Sequence, residues 1–193
     1  MSEVKEMKEM KETEISGKEE KSNTSGQGSN KARRAAQKVA RHSDLWKLAH
    51  VALEEIDSSF ASRVTAIAFT KNFVGSAHID TQNTGPFYGL SLGDFSIGTG
   101  QLCVEVSARE VAHVNTRNRL GMVDGRFPHW VRPYEGNRYS IIYYQTRGEM
   151  IPRGEAVFRG ARVVENDPAT FPSKEDIYYR RYDRVNKTYL PLK

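Results

Sequence analysis

The chain of 193 residues has one cysteine, Cys103. An intramolecular disulfide is therefore excluded, and so is a zinc site built on several thiolates. A lone thiol fits a reducing compartment, and the expected location is intracellular, in nucleus or cytoplasm. Long apolar runs are missing too. No stretch approaches the roughly 18 apolar residues of a membrane-spanning helix, so no membrane association is expected. The N-terminal MSEVKEMKEMKETEISGKEEKSNTSGQGSN lacks the apolar segment of a secretory signal. Hydrophobic residues make up only 38% of the chain, against 27% charged. That is low for a chain folded from end to end, so part of it is expected to be disordered. The length suits one domain plus a tail and excludes a TIM barrel with its usual decorations.

Charge of neither sign dominates, with Lys+Arg 29 against Asp+Glu 24, a net of +5. The excess is unevenly placed. Residues 1–30 carry five Lys and seven Glu, for a net of −2. Lys31, Arg33, Arg34, Lys38 and Arg41 then add +5 with no acid among them, and the remainder adds only +2. The basic segment 31–41, within KARRAAQKVARH, reads either as a nuclear-localisation or nucleic-acid arm or as the solvated face of a helix entering the domain.

Residues 1–42 read as a disordered, charged tail, because they offer almost no large apolar side chains to offset ordering entropy. The domain is expected over 43–146. Ser43 and Asp44 are N-cap types, and Leu45, Leu48, Ala52 and Ile56 recur at helical spacing, which predicts an amphipathic helix over 45–56. The pattern then changes to short strands. Candidates are Val64–Phe69, Ala77–Thr81, Phe87–Leu92, Gln101–Val106, Val111–Asn115, Leu120–Val123, Phe127–Arg132 and Arg138–Gln145, separated by turn formers such as Gly85-Pro86, Asp124-Gly125 and Glu135-Gly136-Asn137. Closely spaced short strands predict a mainly β fold, a jelly-roll or cupin-like barrel. Residues 147–193 read as an extension packed on the barrel, with helical character at most over Ser173–Tyr179.

His78-Ile79-Asp80 lies on one of these strands. Side chains two apart on a strand share a face, so His78 and Asp80 can bind one metal ion. His129 lies on a later strand, and Arg138 and Ser140 share a face of the next. Two His and one carboxylate leave adjacent coordination positions open, an arrangement suited to non-haem Fe(II). An inward Arg near the second His can hold a distal carboxylate as a bidentate pair. A dicarboxylate co-substrate such as 2-oxoglutarate would use both features, with a position left for O₂.

HID…PHW…NRYS resembles the His-x-Asp…His…Arg-x-Ser pattern of Fe(II)/2-oxoglutarate-dependent dioxygenases, over roughly Val64 to Thr146. The wider strings AHIDTQNTGPFYGLSLGDF and VDGRFPHWVRPYEGNRYSIIYYQT resemble the TET/JBP-like branch, which oxidises methyl groups on DNA bases. The resemblance implies a double-stranded β-helix, with the helix 45–56 in support. It implies His78, Asp80 and His129 as iron ligands and Arg138 and Ser140 as the 2-oxoglutarate clamp. The substrate it implies is the methyl group of 5-methylcytosine or thymine in DNA. It also implies that Asn83 contacts the target base, although an Asn before Thr84-Gly85 is equally a turn residue. A Cys-rich zinc region and a separate DNA-binding domain, found in parts of that branch, have no counterpart here. DNA would then be held by the basic segment and the C-terminal YYRRYDRVNK, whose aromatics could stack bases or pack an edge element onto the barrel. The same oxygenase core could instead act on a protein side chain or a small molecule. An inactive β-barrel binding module is the third reading; the intact triad and Arg138 argue against it. Nothing in the pattern sets an oligomeric state.

Other residues read less sharply. Arg126 could reach co-substrate or substrate, or form a structural ion pair. His113 lacks a following Arg and reads as an ordinary strand histidine. Trp130 should face away from His129, into packing between sheet and helix. Cys103 reads as a small buried hydrophobe. Gly98-Thr99-Gly100 is a turn, since no helix pattern follows it.

Overall fold

The structure, a computed structural model, describes residues 13–16, 33–34, 37, 40–158 and 179–190. Much of the expected tail therefore lies outside the described residues. So does the helix expected over Ser173–Tyr179, apart from Tyr179, which begins a strand.

The described residues are mainly β. A helix α1 (Ser43–Glu54) and a short α2 (Ser58–Ala61) lead into the strands. These are β1 (Thr13–Ser16), β2 (Ala66–Lys71), β3 (Phe87–Gly93), β4 (Leu102–Glu105), β5 (Glu110–Val114) and β6 (Gly121–Val123). They continue with β7 (His129–Val131), β8 (Arg138–Tyr144), β9 (Val157–Phe158), β10 (Tyr179–Asp183) and β11 (Thr188–Tyr189). One antiparallel sheet has the order β1-β2-β8-β3-β6-β9 and the other β11-β10-β5-β4-β7, an architecture compatible with a barrel-like β fold.

Seven of the eight expected strands appear within two residues of their expected ends. The other, around His78, is reduced to a bridge with His129, closed by paired backbone bonds of 3.0 and 2.9 Å. The ladder stops there because the next amide, Asp80 N, turns to Gly125 O at 2.8 Å.

The expected helix face is corrected. Leu48 is 69% exposed, whereas Ala49 and Leu53 are buried and Trp46 and Ile56 pack with them. The packed stripe is thus Trp46, Ala49, Leu53 and Ile56, which has helical spacing as well and carries the larger side chains. Ser43 and Asp44 do not cap the helix. His42 holds the N-cap position without a side-chain bond. The chain is already helical at Ala40 and Arg41, so both cap types fall inside the first turn. Asp57 caps α2 instead, its Oδ1 accepting from Phe60 N at 2.8 Å and its Oδ2 from the Tyr88 hydroxyl at 3.0 Å.

The first sheet is covered on both faces. Helices pack on one side through Leu53, Phe60, Ile67, Phe69 and Tyr143. Tyr143 has no exposed surface, and its hydroxyl donates to Ala49 O at 2.9 Å, so the polar end of a core side chain fastens α1 to β8. Replacing a fully buried residue such as Leu53 by Ala would cost about 2–5 kcal/mol. The other face meets the second sheet through Phe87, Leu102, Val104, Val114 and Val123. Between the sheets, beside this apolar core, lies the cavity that holds the site.

The chain ends of the described region add strands to both sheets. Residues 13–16, inside the segment read as a tail, pair with β2. β10 pairs with β5, so the described part of YYRRYDRVNK extends the second sheet, and Tyr182 and Tyr189 pack against His113 at 5.5 and 5.4 Å between ring centroids. Among the described residues, no helix is long and apolar enough to cross a membrane.

Asp183 anchors this edge. It accepts from Arg109 Nε and Nη2 at 3.0 and 2.7 Å and from the amides of Val185 and Asn186 at 2.9 and 3.2 Å. The Arg109 hydrogen bonds hold its carboxyl well below the usual carboxylate range. A depressed folded-state value means the added stability is present above about pH 4 and is lost as pH falls further, towards the folded-state value. Asp183→Asn is therefore expected to lower the melting temperature at pH 7 and to flatten its decline below about pH 4, both read from melting curves across pH.

Candidate metal centre

His78, Asp80 and His129 come together as the sequence pattern predicts. One ligand atom from each lies within 4.8 Å of the others. His78 Nε2 is 3.8 Å from Asp80 Oδ1, and His129 Nε2 is 3.8 Å from Asp80 Oδ2. The imidazole centroids are 4.4 Å apart. The group is graded in exposure, with side chains 43% exposed at His78, 20% at Asp80 and 6% at His129. It therefore opens to solvent on the His78 side.

The orientation of both imidazoles is set by the backbone. His78 Nδ1 lies 2.8 Å from Ser76 O, and His129 Nδ1 lies 3.0 Å from Phe127 O. A carbonyl only accepts, so each Nδ1 carries a proton and each Nε2 is the nitrogen turned to the shared centre. Burial lowers the pKa of His129, which keeps it in the neutral form that a metal requires. The donor set of two imidazoles and a carboxylate fits a divalent transition metal.

Asp80 is held from two sides. The Thr81-Gln82 turn brings Asn83 back, and its Nδ2 donates to Asp80 Oδ2 at 3.0 Å. Gly125 lies on the other side, where a Cβ would stand 2.7 Å from Asp80 Oδ2 and 2.7 Å from Phe87 Cε1. Only glycine allows that approach. Asn83 is 3% exposed and lines the cavity, so the turn and the site use the same residue.

Arg138 and Ser140 line the same cavity, which has a volume of about 400 Å³. Arg138 is 4% exposed. Its Nε donates to Gly100 O at 3.1 Å, Nη1 to Ser140 Oγ, and Nη2 to Thr116 Oγ1 at 3.5 Å. The rings of Phe95 and Tyr134 lie 5.6 and 5.8 Å from the guanidinium carbon. Burial pushes its pKa down to about 10, which still leaves a cation at pH 7. Among the described residues no Asp or Glu pairs with it. A buried cation that lines a cavity and has no anion of its own can accept a carboxylate.

Arg126 is placed away from this cavity. Its Nε and Nη2 donate to Asp124 Oδ1 and Oδ2 at 2.8 and 2.6 Å, and Nη1 donates to Ile151 O at 2.6 Å. Both members of the pair are buried, so Arg126 fastens the segment after β8. His113 lies outside the His78, Asp80 and His129 group. It stacks on Tyr182, and burial lowers its pKa to about 4. Trp130 meets Arg184 at 5.7 Å, not a helix. Cys103 is 1% exposed with its pKa raised by burial to about 12, an inert thiol.

Sequence reasoning missed Thr116, Phe95, Tyr134 and Gly100 around Arg138, and Thr70 in the same cavity. The only signal for Thr70 is a hydroxyl near the end of the apolar run Ala66–Phe69.

Asn83→Ala is expected to weaken anaerobic Fe(II) binding about tenfold, measured by calorimetry, while the metal-free protein melts as before. Unchanged affinity would mean that Asn83 does not set the carboxylate. Comparison with known proteins found no matching family model, no matching curated protein and no matching solved structure.

Proposed function

We propose that the chain is an Fe(II)- and 2-oxoglutarate-dependent oxygenase that hydroxylates a C–H bond. The observation that carries the reading is one cavity lined by both a His-Asp-His cluster and a buried Arg138 without a carboxylate partner. Strand order supports the double-stranded β-helix that this reading requires. From β2 to β8, with the His78 bridge counted next to β7, the chain passes between sheets in the manner of paired Greek keys.

Bound at the cluster, Fe(II) would supply oxidation by O₂, with 2-oxoglutarate released as succinate and CO₂ and one oxygen atom passed to the substrate. The chain's own residues bind and orient. His78 and His129 present their Nε2 lone pairs, and Asp80 supplies a negative charge fixed by Asn83. Arg138 and Ser140 take the distal carboxylate of the co-substrate, which sets how far its other end reaches toward the cluster. Phe87, Leu102 and Ile142 give the cavity an apolar wall. The exposed side of His78 leaves a route for substrate.

For substrate, the proposal is the methyl group of 5-methylcytosine or thymine in DNA. Its support is the resemblance of the motif strings, with the exposed Arg33, Arg34 and Arg41 as phosphate contacts. A base in a duplex would have to be extruded to reach the cavity. One observation favours a second reading, a protein side chain or small molecule. Asn83, the residue expected to meet the base, already donates its amide to Asp80.

The test is incubation with methylated DNA, Fe(II) and 2-oxoglutarate, followed by mass spectrometry of nucleosides and assay of succinate. Gain of hydroxymethylcytosine supports the DNA substrate. Succinate without altered nucleosides supports the second reading. Asp80→Ala and His129→Ala are expected to bring succinate to background. Arg138→Ala should raise the 2-oxoglutarate requirement about a hundredfold or more, as for a broken buried pair. Iron-dependent succinate formation that survives Asp80→Ala would overturn the assignment.

A further inference from the structure

β2 and β8 place Thr70 opposite Ser140, and β8 and β3 place Ser140 opposite Ser91. Directly paired residues of neighbouring antiparallel strands project to the same face. Three hydroxyls therefore stand in a row across the sheet, on the side from which Arg138 also projects. Thr116 adds a fourth, its Oγ1 lying 2.8 Å from Ser91 Oγ. Ser140 and Thr116 both accept from Arg138, and Ser91 is paired with Thr116. Thr70 differs from the other three. It is 6% exposed and lines the cavity, yet its Oγ1 has no hydrogen-bond partner among the described residues.

A buried hydroxyl without a partner destabilises a fold, and valine would fill the same space without that cost. A hydroxyl retained there has its use when something enters the cavity. Arg138 indicates what that is. Its Nε is satisfied by Gly100 O, and each Nη spends one N–H on a hydroxyl. The second N–H of each Nη remains for an acceptor. A carboxylate accepts on both oxygens and has lone pairs left for an O–H donor alongside.

We propose that Thr70 is the third donor to the distal carboxylate of the co-substrate, acting with Arg138 and Ser140 to select a dicarboxylate over a 2-oxo acid that ends in a methyl group. The proposal rests on the oxygenase reading above.

The test compares 2-oxoglutarate with 2-oxopentanoate, which has the same chain length and no distal carboxylate. Each is titrated calorimetrically, without O₂, into the full Fe(II)-loaded chain and its variants. Thr70→Val is expected to weaken 2-oxoglutarate about tenfold, the factor of one hydrogen bond to a charged group. It should leave 2-oxopentanoate unchanged, and Thr70→Ser should restore most of the loss. In the ligand-free protein, Thr70→Val should melt at the same temperature or higher, since it removes an unpaired hydroxyl. Equal loss for both acids, no loss for either, or a lower melting temperature would overturn the role of Thr70. A wild-type chain that binds no 2-oxoglutarate would overturn the oxygenase reading itself.

Discussion

The cation at Arg138 is the constraint around which the site is arranged. A guanidinium that is 4% exposed has lost most of its hydration, and the described residues give it no carboxylate. Its surroundings compensate in part. Gly100 supplies a carbonyl, Ser140 and Thr116 supply hydroxyl oxygens, and Phe95 and Tyr134 supply ring faces. Gly100 itself has a positive φ of 62°, and a Cβ there would stand 3.2 Å from Arg138 Cδ, so the close approach of backbone to side chain depends on glycine. Partial compensation is what a binding site requires. A fully paired Arg138 would have no reason to take a ligand, and one with no partners would not stay buried.

β8 connects this cation to the rest of the fold. It lies between β2 and β3 in the sheet, so both of its backbone edges are satisfied and its position is rigid. Its residues alternate between two environments. Tyr143 turns to the helices and reaches Ala49, while Arg138, Ser140 and Ile142 turn to the cavity. The helix layer thus fixes the strand that carries Arg138. The second sheet presents the His-Asp-His group across the cavity, through β7 and the His78 bridge. The proposed site lies where the two sheets face each other and the apolar core gives way to polar side chains.

The strand positions were legible because alternation and turn residues are local signals, and β2 to β8 needed nothing more. The clustering of His78, Asp80 and His129 near Arg138 and Ser140 was legible because His-x-Asp, a later His and Arg-x-Ser carry rare side chains at informative spacing. Other features depended on partners that are distant in sequence. Leu45 and Leu48 share the spacing of Trp46 and Ala49, and only the sheet beneath decides which stripe is buried. β1, β9, β10 and β11 are edge or near-edge strands whose existence depends on what they pair with. Asn83 could be read as turn or site residue, and its bond to Asp80 makes it both. Arg126 could serve a ligand or an ion pair by sequence alone, and in the fold it binds Asp124, two residues away. Thr70 carried almost no signal, because an unpaired hydroxyl is a property of the assembled cavity and not of the chain.

The central claim is that the His-Asp-His group and Arg138 form one site, which a metal ion and a dicarboxylate occupy together. Anaerobic calorimetry of 2-oxoglutarate binding, with and without one equivalent of Fe(II), tests it most directly. The account predicts one Fe(II) per chain, and 2-oxoglutarate binding that tightens at least about tenfold when the metal is present. Equal affinity with and without Fe(II), or metal binding that persists in a His78→Ala/His129→Ala double variant, would contradict it.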